Sequence, residues 1–224
     1  MRVFIGYDSK EIAAYQICAY SIIRNASEPI SITPLNIRQI AGFTNTSYKA
    51  STQFAFTRFL VPYLSGYEGT SLFMDCDMLV RSDIAKLFSL ADKSDVMCVK
   101  HDYTPSTEEK FLGAEQTRYE YKNWSSVMLF NNAKCKVLTK HYVNTSSGLH
   151  LHQFQWAKKV GELPKSWNHL VGEYDQSEAD IVHFTLGGPY FKEYEHCEYA
   201  DEWWKYFNEA NSVLDVKVLG GKHV

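Results

Sequence analysis

The strongest chemical signal in the chain is a pair of acidic residues, Asp75 and Asp77, set in an apolar segment. In an extended strand, residues two positions apart point to the same side, so both carboxylates would face one spot. Two carboxylates placed together repel each other and are costly to desolvate unless a cation neutralises them. Mg²⁺ and Mn²⁺ suit this position, because they bind one or two protein carboxylates together with phosphate oxygens. The pair therefore indicates a divalent-metal site that takes a phosphate-containing ligand.

An alternative interpretation of the pair is a strand end that carries two solvated acids. The residues before it, Leu-Phe-Met at 72–74, are apolar. They are typical of a buried strand that opens at its carboxyl end into a site. This pattern favours the binding site over the solvated strand end.

The composition is that of a globular protein with a substantial core. Of the 224 residues, 45% are hydrophobic and 15% are aromatic, and the formal net charge is −3. We predict one domain over residues 1–224 that does not bind nucleic acid, because no basic patch is present. No apolar run approaches the roughly 20 residues of a membrane helix, and the first residues are typical of a strand rather than of a signal peptide. The five cysteines lack CxxC spacing, so we expect reduced thiols and a cytoplasmic location.

Short apolar runs alternate with helical patterns along the chain. The predicted strands are 2–8, 30–37, 72–74, 96–99, 126–131 and 180–184, and the predicted helices are 12–22, 54–64, 83–90, 150–160 and 199–211. Ser9 is the predicted N-cap of the first helix. Residues 41–52 are expected to form a loop, and the polar and aromatic residues 103–122 an insertion over a site. The alternation predicts an α/β fold with a mostly parallel sheet.

Six segments of the chain form a series in a fixed order. They are Gly-Tyr-Asp at 6–8, an arginine-containing helix at 57–64, Asp-x-Asp at 75–77, Ser-Val-Met-Leu-Phe-Asn at 126–131, Leu-Pro-Lys-Ser-Trp-Asn at 163–168, and His183 followed by Gly-Gly-Pro-Tyr-Phe at 187–191. The series resembles the retaining nucleotide-sugar glycosyltransferases of family 8, the glycogenin and galactosyltransferase type. The resemblance implies a single-domain GT-A fold, which is Rossmann-like with flanking helices. It also implies hexosyl transfer from a nucleoside-diphosphate sugar, a UDP-sugar, to an acceptor hydroxyl on a saccharide, a lipid-linked sugar or a protein.

The resemblance implies a metal and diphosphate site at the end of the central strand. Asp75, Asp77 and His183 would hold Mn²⁺, or Mg²⁺, against the donor, with Asp75 also part of the nucleotide-sugar site. Gly187 and Gly188 would form a closing loop, because glycine lets backbone N–H groups approach phosphate oxygens closely. For His183, a hydrogen-bonded core histidine is the alternative.

Four more residues have implied roles in donor binding or catalysis. Asp8 would accept a hydrogen bond from N3–H of uracil, and Tyr7 would flank the base; a plain strand-to-helix turn is the alternative. Arg58 and Asp102 are the predicted catalytic residues. Arg58 lies on an apolar helix face and needs an anion, either the nucleotide sugar or Asp75 in a structural salt bridge. Asp102 would hydrogen-bond donor-sugar hydroxyls, with a surface turn as the alternative.

The chain departs from the family pattern at positions that contact phosphate and sugar. Pro189 stands where the family has a phosphate-binding lysine, and Lys192 is the nearby candidate to replace it. His152 and Gln153 stand where the family has an Asp-Gln pair, and Trp124 stands where it has an asparagine. The donor sugar and the acceptor therefore cannot be carried over from the family.

Three rival functions share part of this pattern. Because the lysine is missing, a degenerate transferase that binds a sugar nucleotide or a partner without turnover is one alternative. A haloacid-dehalogenase-type phosphatase also has Asp-x-Asp, but it needs a small hydroxyl or β-branched residue where this chain has Leu79. A sugar-nucleotide pyrophosphorylase needs a glycine-rich basic loop after the first strand, and residues 6–11 are not of that kind.

Overall fold

The computed structural model describes residues 1–45, 52–107, 120–175 and 178–212. Parts of the predicted loop at 41–52, of the predicted insertion at 103–122 and of the predicted domain beyond residue 212 lie outside these residues. Within them the strands are β1 Arg2–Gly6, β2 Ser31–Leu35, β3 Thr70–Met74, β4 Met78–Val80, β5 Val96–Cys98, β6 Val127–Asn131, β7 Val160–Glu162, β8 His169–Leu170 and β9 Ile181–His183. The α-helices are α1 Ile12–Asn25, α2 Val61–Leu64, α3 Ile84–Ser89, α4 Lys140–Thr145, α5 Gly148–His152 and α6 Ala200–Asn211.

The main sheet has six strands in the order β2-β1-β3-β6-β5-β7. β1 is parallel to β2 and β3, and β5 is parallel to β7, whereas β6 is antiparallel to both β3 and β5. All strands except β6 therefore run in one direction, which confirms the predicted α/β fold with a mostly parallel sheet. Because β6 is reversed, its first residues lie beside the end of β3, and the N–H of Asp75 donates to the carbonyl of Ser126 at 2.9 Å.

A smaller sheet contains β4, β9 and β8 in that order. β4 and β9 are antiparallel, and their register pairs Met78 with His183. Beyond this pair, the N–H of Phe184 donates to the carbonyl of Asp77 at 2.9 Å. This register brings a histidine that is more than 100 positions away in the sequence to the acidic pair.

Helix α1 connects the two sheets through one apolar face. Its buried residues recur at helical spacing and are Ala14, Ile17, Cys18, Ser21 and Ile22. Cys18 and Ile22 join the core of the main sheet, whereas Ile17 packs in a second cluster with residues of β4, β9 and α6. The helix therefore fixes the position of the small sheet, and so of His183, relative to β3.

The predicted helices agree with the structure in part. The helices predicted at 83–90 and 199–211 are confirmed as α3 and α6. The helix predicted at 54–64 is instead a 3₁₀ turn, Thr57–Leu60, that continues into the short helix α2. Ser9 does not cap α1, because its hydroxyl accepts a hydrogen bond from Gln53 at 3.0 Å and the helix begins later. The helix predicted at 150–160 is wrong beyond His152, because Phe154 has a φ of 56° and ends it. No helix in the described part of the chain is both long and apolar enough to cross a membrane.

Candidate functional site

Three predicted metal ligands, Asp75, Asp77 and His183, lie together at the junction of the two sheets. One ligand atom from each residue lies within 4.8 Å of the other two, and His183 Nε2 is 3.5 Å from Asp77 Oδ1. The imidazole is buried, and each carboxylate side chain is 13% exposed. Two carboxylates and an imidazole form a donor set that fits a divalent cation.

Arg58 lies against the first carboxylate of this group. Its Nη1 is 3.0 Å from Asp75 Oδ1 and donates to the carbonyl of Ser125 at 2.9 Å. The guanidinium carbon lies 5.3 Å and 5.0 Å from the ring centres of Phe54 and Phe73, which exclude water from the ion pair. The salt bridge considered as the alternative for Arg58 is therefore present, and the same cation lowers the net negative charge beside the acidic pair.

His152, which stands at a departure from the family pattern, lies behind Arg58. Its Nδ1 is 2.8 Å from Ser125 Oγ, the same residue whose carbonyl accepts from Arg58. Burial, followed by the charge of Arg58, lowers the pKa of His152 to about 3. The imidazole is therefore uncharged at neutral pH and acts as a neutral hydrogen-bonding group.

A buried carboxyl group that the sequence analysis did not single out, Glu11, also lies near the acidic pair. Burial raises its pKa to about 8, and the charge of Asp77 adds to the rise. Tyr190 donates a hydrogen bond to Glu11 Oε1 at 3.0 Å. Glu11 lies just before α1, where an acidic residue is typical of a helix start. The local sequence therefore gave no reason to assign it to the site.

The predicted uracil ligands have structural contacts of their own. The two carboxylate oxygens of Asp8 accept hydrogen bonds from the N–H groups of Lys10 and Gln53, each at 2.9 Å. Tyr7 is half-buried, with its ring edge-on to that of Tyr15 at 5.5 Å between centres. Asp8 therefore fixes the turn after β1, the role that was considered as its alternative, and its use by uracil stays a prediction.

The two glycines after His183 form a tight turn. Gly187 has a φ of 146°, and its N–H donates to the carbonyl of Phe184 at 2.9 Å. A Cβ atom on Gly188 would lie 2.2 Å from the ring of Tyr190. Gly188 is thus required for the ring of Tyr190 to reach Glu11, and the N–H of Gly187 is used within the turn; a phosphate contact at this turn stays a prediction.

Two further predicted residues, Asp102 and Lys192, are exposed. Asp102 follows β5, and its charge contributes, after burial, to the raised pKa of Tyr174. Lys192 begins a 3₁₀ turn, Lys192–Tyr194, and makes no ion pair within the described part of the chain. Neither residue is therefore drawn into the group around Asp75 by a contact, and their roles stay predictions.

One relative of known sequence is similar along nearly the whole chain. The chain is 43% identical over 225 residues to the protein of Arabidopsis thaliana named Protein CDI, and the match covers 94% of this chain and 87% of that protein. No protein-family model matches the chain.

Solved structures of glycosyltransferases share the fold. The bifunctional glycosyltransferase WbbM has a TM-score of 0.64 at 14% identity over 98% of this chain, which spans about half (51%) of WbbM. Galactosyltransferase LgtC, in complex with donor and acceptor sugar analogues, has a TM-score of 0.58 at 13% identity, over 96% of this chain and 98% of LgtC. GlyE of Streptococcus pneumoniae TIGR4 has a TM-score of 0.61 at 16% identity, over 97% of this chain and 62% of GlyE. At these identities the likeness shows the fold, which matches the GT-A fold expected from the motifs.

Proposed function

The chain belongs to the family of Protein CDI of Arabidopsis thaliana, and we propose that it is a metal-dependent glycosyltransferase. The reaction is transfer of a hexose from a UDP-sugar to an acceptor hydroxyl with retention at the anomeric carbon, by one domain that spans residues 1–224. The observation that carries the proposal is the position of Asp75, Asp77 and His183. They form a group of metal-ligand type at the end of the central strand β3, in a fold shared with proteins named as glycosyltransferases.

Asp75, Asp77 and His183 would hold the cation, for which Mn²⁺ is the better candidate because the set includes an imidazole nitrogen. When bound, a divalent cation supplies Lewis-acid stabilisation of the charge on the leaving diphosphate. The chain contributes three features of its own. Arg58 places a buried positive charge 3.0 Å from Asp75, the register of β4 and β9 fixes His183, and the apolar rings around Arg58 keep water from the ion pair.

The acceptor proton can leave without a dedicated base. Glu11, a buried carboxyl group on which the charge of Asp77 acts, has a pKa raised to about 8 by burial and by that charge, so it holds its proton at neutral pH. In a retaining transfer, the departing phosphate oxygen can take the proton of the acceptor hydroxyl. The proposed role of Arg58 and Asp102 is then to orient the donor sugar while that oxygen accepts the proton.

A second candidate function is binding of a sugar nucleotide without turnover. The observation that favours it is the segment after β9, because residues 184–191 contain no lysine or arginine. Lys192, the nearest cation in the sequence, is exposed. In this case the metal group would remain and the stabilisation of the leaving diphosphate would be incomplete.

Two measurements test the proposal. Thermal stability is measured with Mn²⁺ alone, UDP alone, and both together, and a true site should stabilise the chain most strongly when both are present. Release of UDP is then measured over a panel of UDP-hexoses with Mn²⁺. Stabilisation with steady release supports the transferase, stabilisation without release supports the binding protein, and no stabilisation under any condition contradicts both.

A further inference from the structure

Asn168 is a fully buried amide that lies between two histidines. Its Oδ1 is 2.9 Å from Nδ1 of His183, and its Nδ2 is 2.9 Å from Nε2 of His101. Nδ2 also donates to Ser126 Oγ at 2.8 Å. Because buried polar groups are hydrogen-bonded and the amide has one accepting and one donating end, Asn168 determines which nitrogen of each histidine carries hydrogen.

Ser126 determines the orientation of the Asn168 amide. The hydroxyl of Ser126 donates its only hydrogen to the carbonyl of Asn123 at 2.6 Å, so towards Asn168 its oxygen can act only as an acceptor. The amide nitrogen of Asn168 must therefore face Ser126, and the amide oxygen must face His183. The reverse orientation would place two oxygen atoms 2.8 Å apart with no hydrogen between them.

His101 fits the same orientation. It must accept from Asn168 at Nε2, so it must be neutral with its hydrogen on Nδ1. Burial is the main cause that lowers the pKa of His101 to about 3, which keeps it neutral. Its Nδ1–H then donates to the hydroxyl of Tyr174 at 2.8 Å. The amide nitrogen of Asn168 therefore faces an acceptor on His101, and its oxygen faces a donor on His183.

We propose that Asn168 is a positioning residue that holds His183 with hydrogen on Nδ1 and leaves Nε2 open to a divalent cation. The amide oxygen of Asn168 has no hydrogen, so His183 must donate from Nδ1. Nε2 lies on the other side of the ring, 3.5 Å from Asp77 Oδ1. Two electron pairs at that distance repel unless a proton or a cation lies with them, and an outer hydrogen bond of this kind is how proteins orient metal-binding histidines. The inference that a cation binds at Nε2 rests on the proposed function, whereas the inference that Nδ1 of His183 carries hydrogen does not.

The hydrogen position is measured on the metal-free full chain by ¹⁵N NMR of the imidazoles. The pH is set high enough to leave the imidazoles uncharged, and the His183 signals are identified by their loss in His183→Gln. We expect hydrogen on Nδ1, the less common form of free histidine, because Asn168 accepts there. Hydrogen on Nε2 would overturn the proposal, whether or not a metal binds.

The effect on metal binding is measured by titrating Mn²⁺ alone and following free Mn²⁺ by electron paramagnetic resonance. Asn168→Leu should weaken Mn²⁺ binding by about 10–100-fold, the usual effect of removing an outer hydrogen bond to a metal ligand. The matched control is Asn132→Leu, because Asn132 is also fully buried and donates to the Glu68 carbonyl at 2.8 Å and to Ser71 Oγ at 2.9 Å. The control should unfold more easily but bind Mn²⁺ as the wild type does.

Equal Mn²⁺ affinity in Asn168→Leu and in the wild type would overturn the positioning role. If the wild type binds Mn²⁺ neither alone nor in the presence of UDP, the proposed function fails, and the NMR result alone decides the inference about Asn168. The two failures are therefore distinguishable.

Discussion

The hydroxyl of Tyr190 donates a hydrogen bond of 3.0 Å to the buried carboxyl group of Glu11, across 179 positions of sequence. The bond joins the segment after β9 to the turn before α1, in a region where the charge of Asp77 acts on both side chains. Burial and the charge of Asp77 raise the pKa of Glu11 to about 8. A protonated Glu11 adds no negative charge to the acidic pair, which lets four acidic residues, including Asp8, lie in one region.

Glu11 is expected to make the stability of the fold depend on pH. Its folded-state pKa of about 8 lies above the ordinary 4.5, so between these values the folded chain holds a proton that the unfolded chain has released. Stability contributed by this proton is present below pH 4.5 and is lost as the pH rises towards 8. In Glu11→Gln this loss disappears, so the variant should gain about 1–4 kcal/mol relative to the wild type between pH 5 and pH 8, at about 1.4 kcal/mol per pKa unit.

Urea unfolding at pH 5 and pH 8 measures this difference. Glu28→Gln, at an exposed glutamate, is the control, and its stability relative to the wild type should not change with pH. A constant difference between Glu11→Gln and the wild type across this range would show that Glu11 ionises as an ordinary glutamate.

Asp77→Asn should abolish Mn²⁺-dependent binding of UDP while the fold remains intact. The substitution keeps the size of the side chain and removes a charged ligand that lies 3.5 Å from His183 Nε2. Calorimetric titration of UDP in the presence of Mn²⁺ measures the loss, and circular dichroism reports the fold. Asp201→Asn, at an exposed acid in the first turn of α6, should bind UDP as the wild type does, and unchanged binding in Asp77→Asn would refute the metal site.

Local apolar patterns predicted six of the nine described strands and drew out the acidic pair, but they did not predict the short strands β4, β7 and β8. The apolar run before Asp75 determines β3, whereas Asp75 and Asp77 lie in the bend between β3 and β4 rather than in an extended strand. The direction of β6 could not be predicted, because a buried strand has the same apolar pattern in either direction. Glu11 was not predicted as part of the site, because its environment comes from Tyr190 and Asp77, which are distant in sequence.

The hydrogen-bonding role of Asn168 could not be predicted from the sequence for a similar reason. Asn168 ends the Leu-Pro-x-x-Trp-Asn segment, but its role depends on Ser126 and on two histidines that are distant in sequence. The helix predicted at 150–160 was wrong because apolar spacing gives no sign of the positive φ of Phe154. In each case a tertiary contact or a single backbone angle outweighed the local pattern.

Removing one partner of the ion pair between Arg58 and Asp75 is expected to destabilise the fold. Arg58→Met removes the cation and leaves Asp75 buried without its 3.0 Å partner, so the free energy of unfolding should fall by about 3–5 kcal/mol. Asp75→Asn in the Arg58→Met background removes the uncompensated charge. We expect the double variant to be more stable than Arg58→Met alone, as measured by urea unfolding at pH 7, and additive losses would contradict a direct pairing.

The turn after β9 is expected to depend on the absence of a side chain at Gly188. A Cβ atom there would lie 2.2 Å from Cε1 of Tyr190, so Gly188→Ala must displace the ring and break its hydrogen bond to Glu11. We expect a loss of about 1–3 kcal/mol in the free energy of unfolding, the usual cost of overpacking. Tyr190→Ala removes the ring that the new methyl group would meet. Urea unfolding of the two single variants and the double variant measures the coupling, and Gly188→Ala should cost much less in the Tyr190→Ala background. An equal cost in both backgrounds would show that the strain arises from the backbone of the turn rather than from contact with Tyr190.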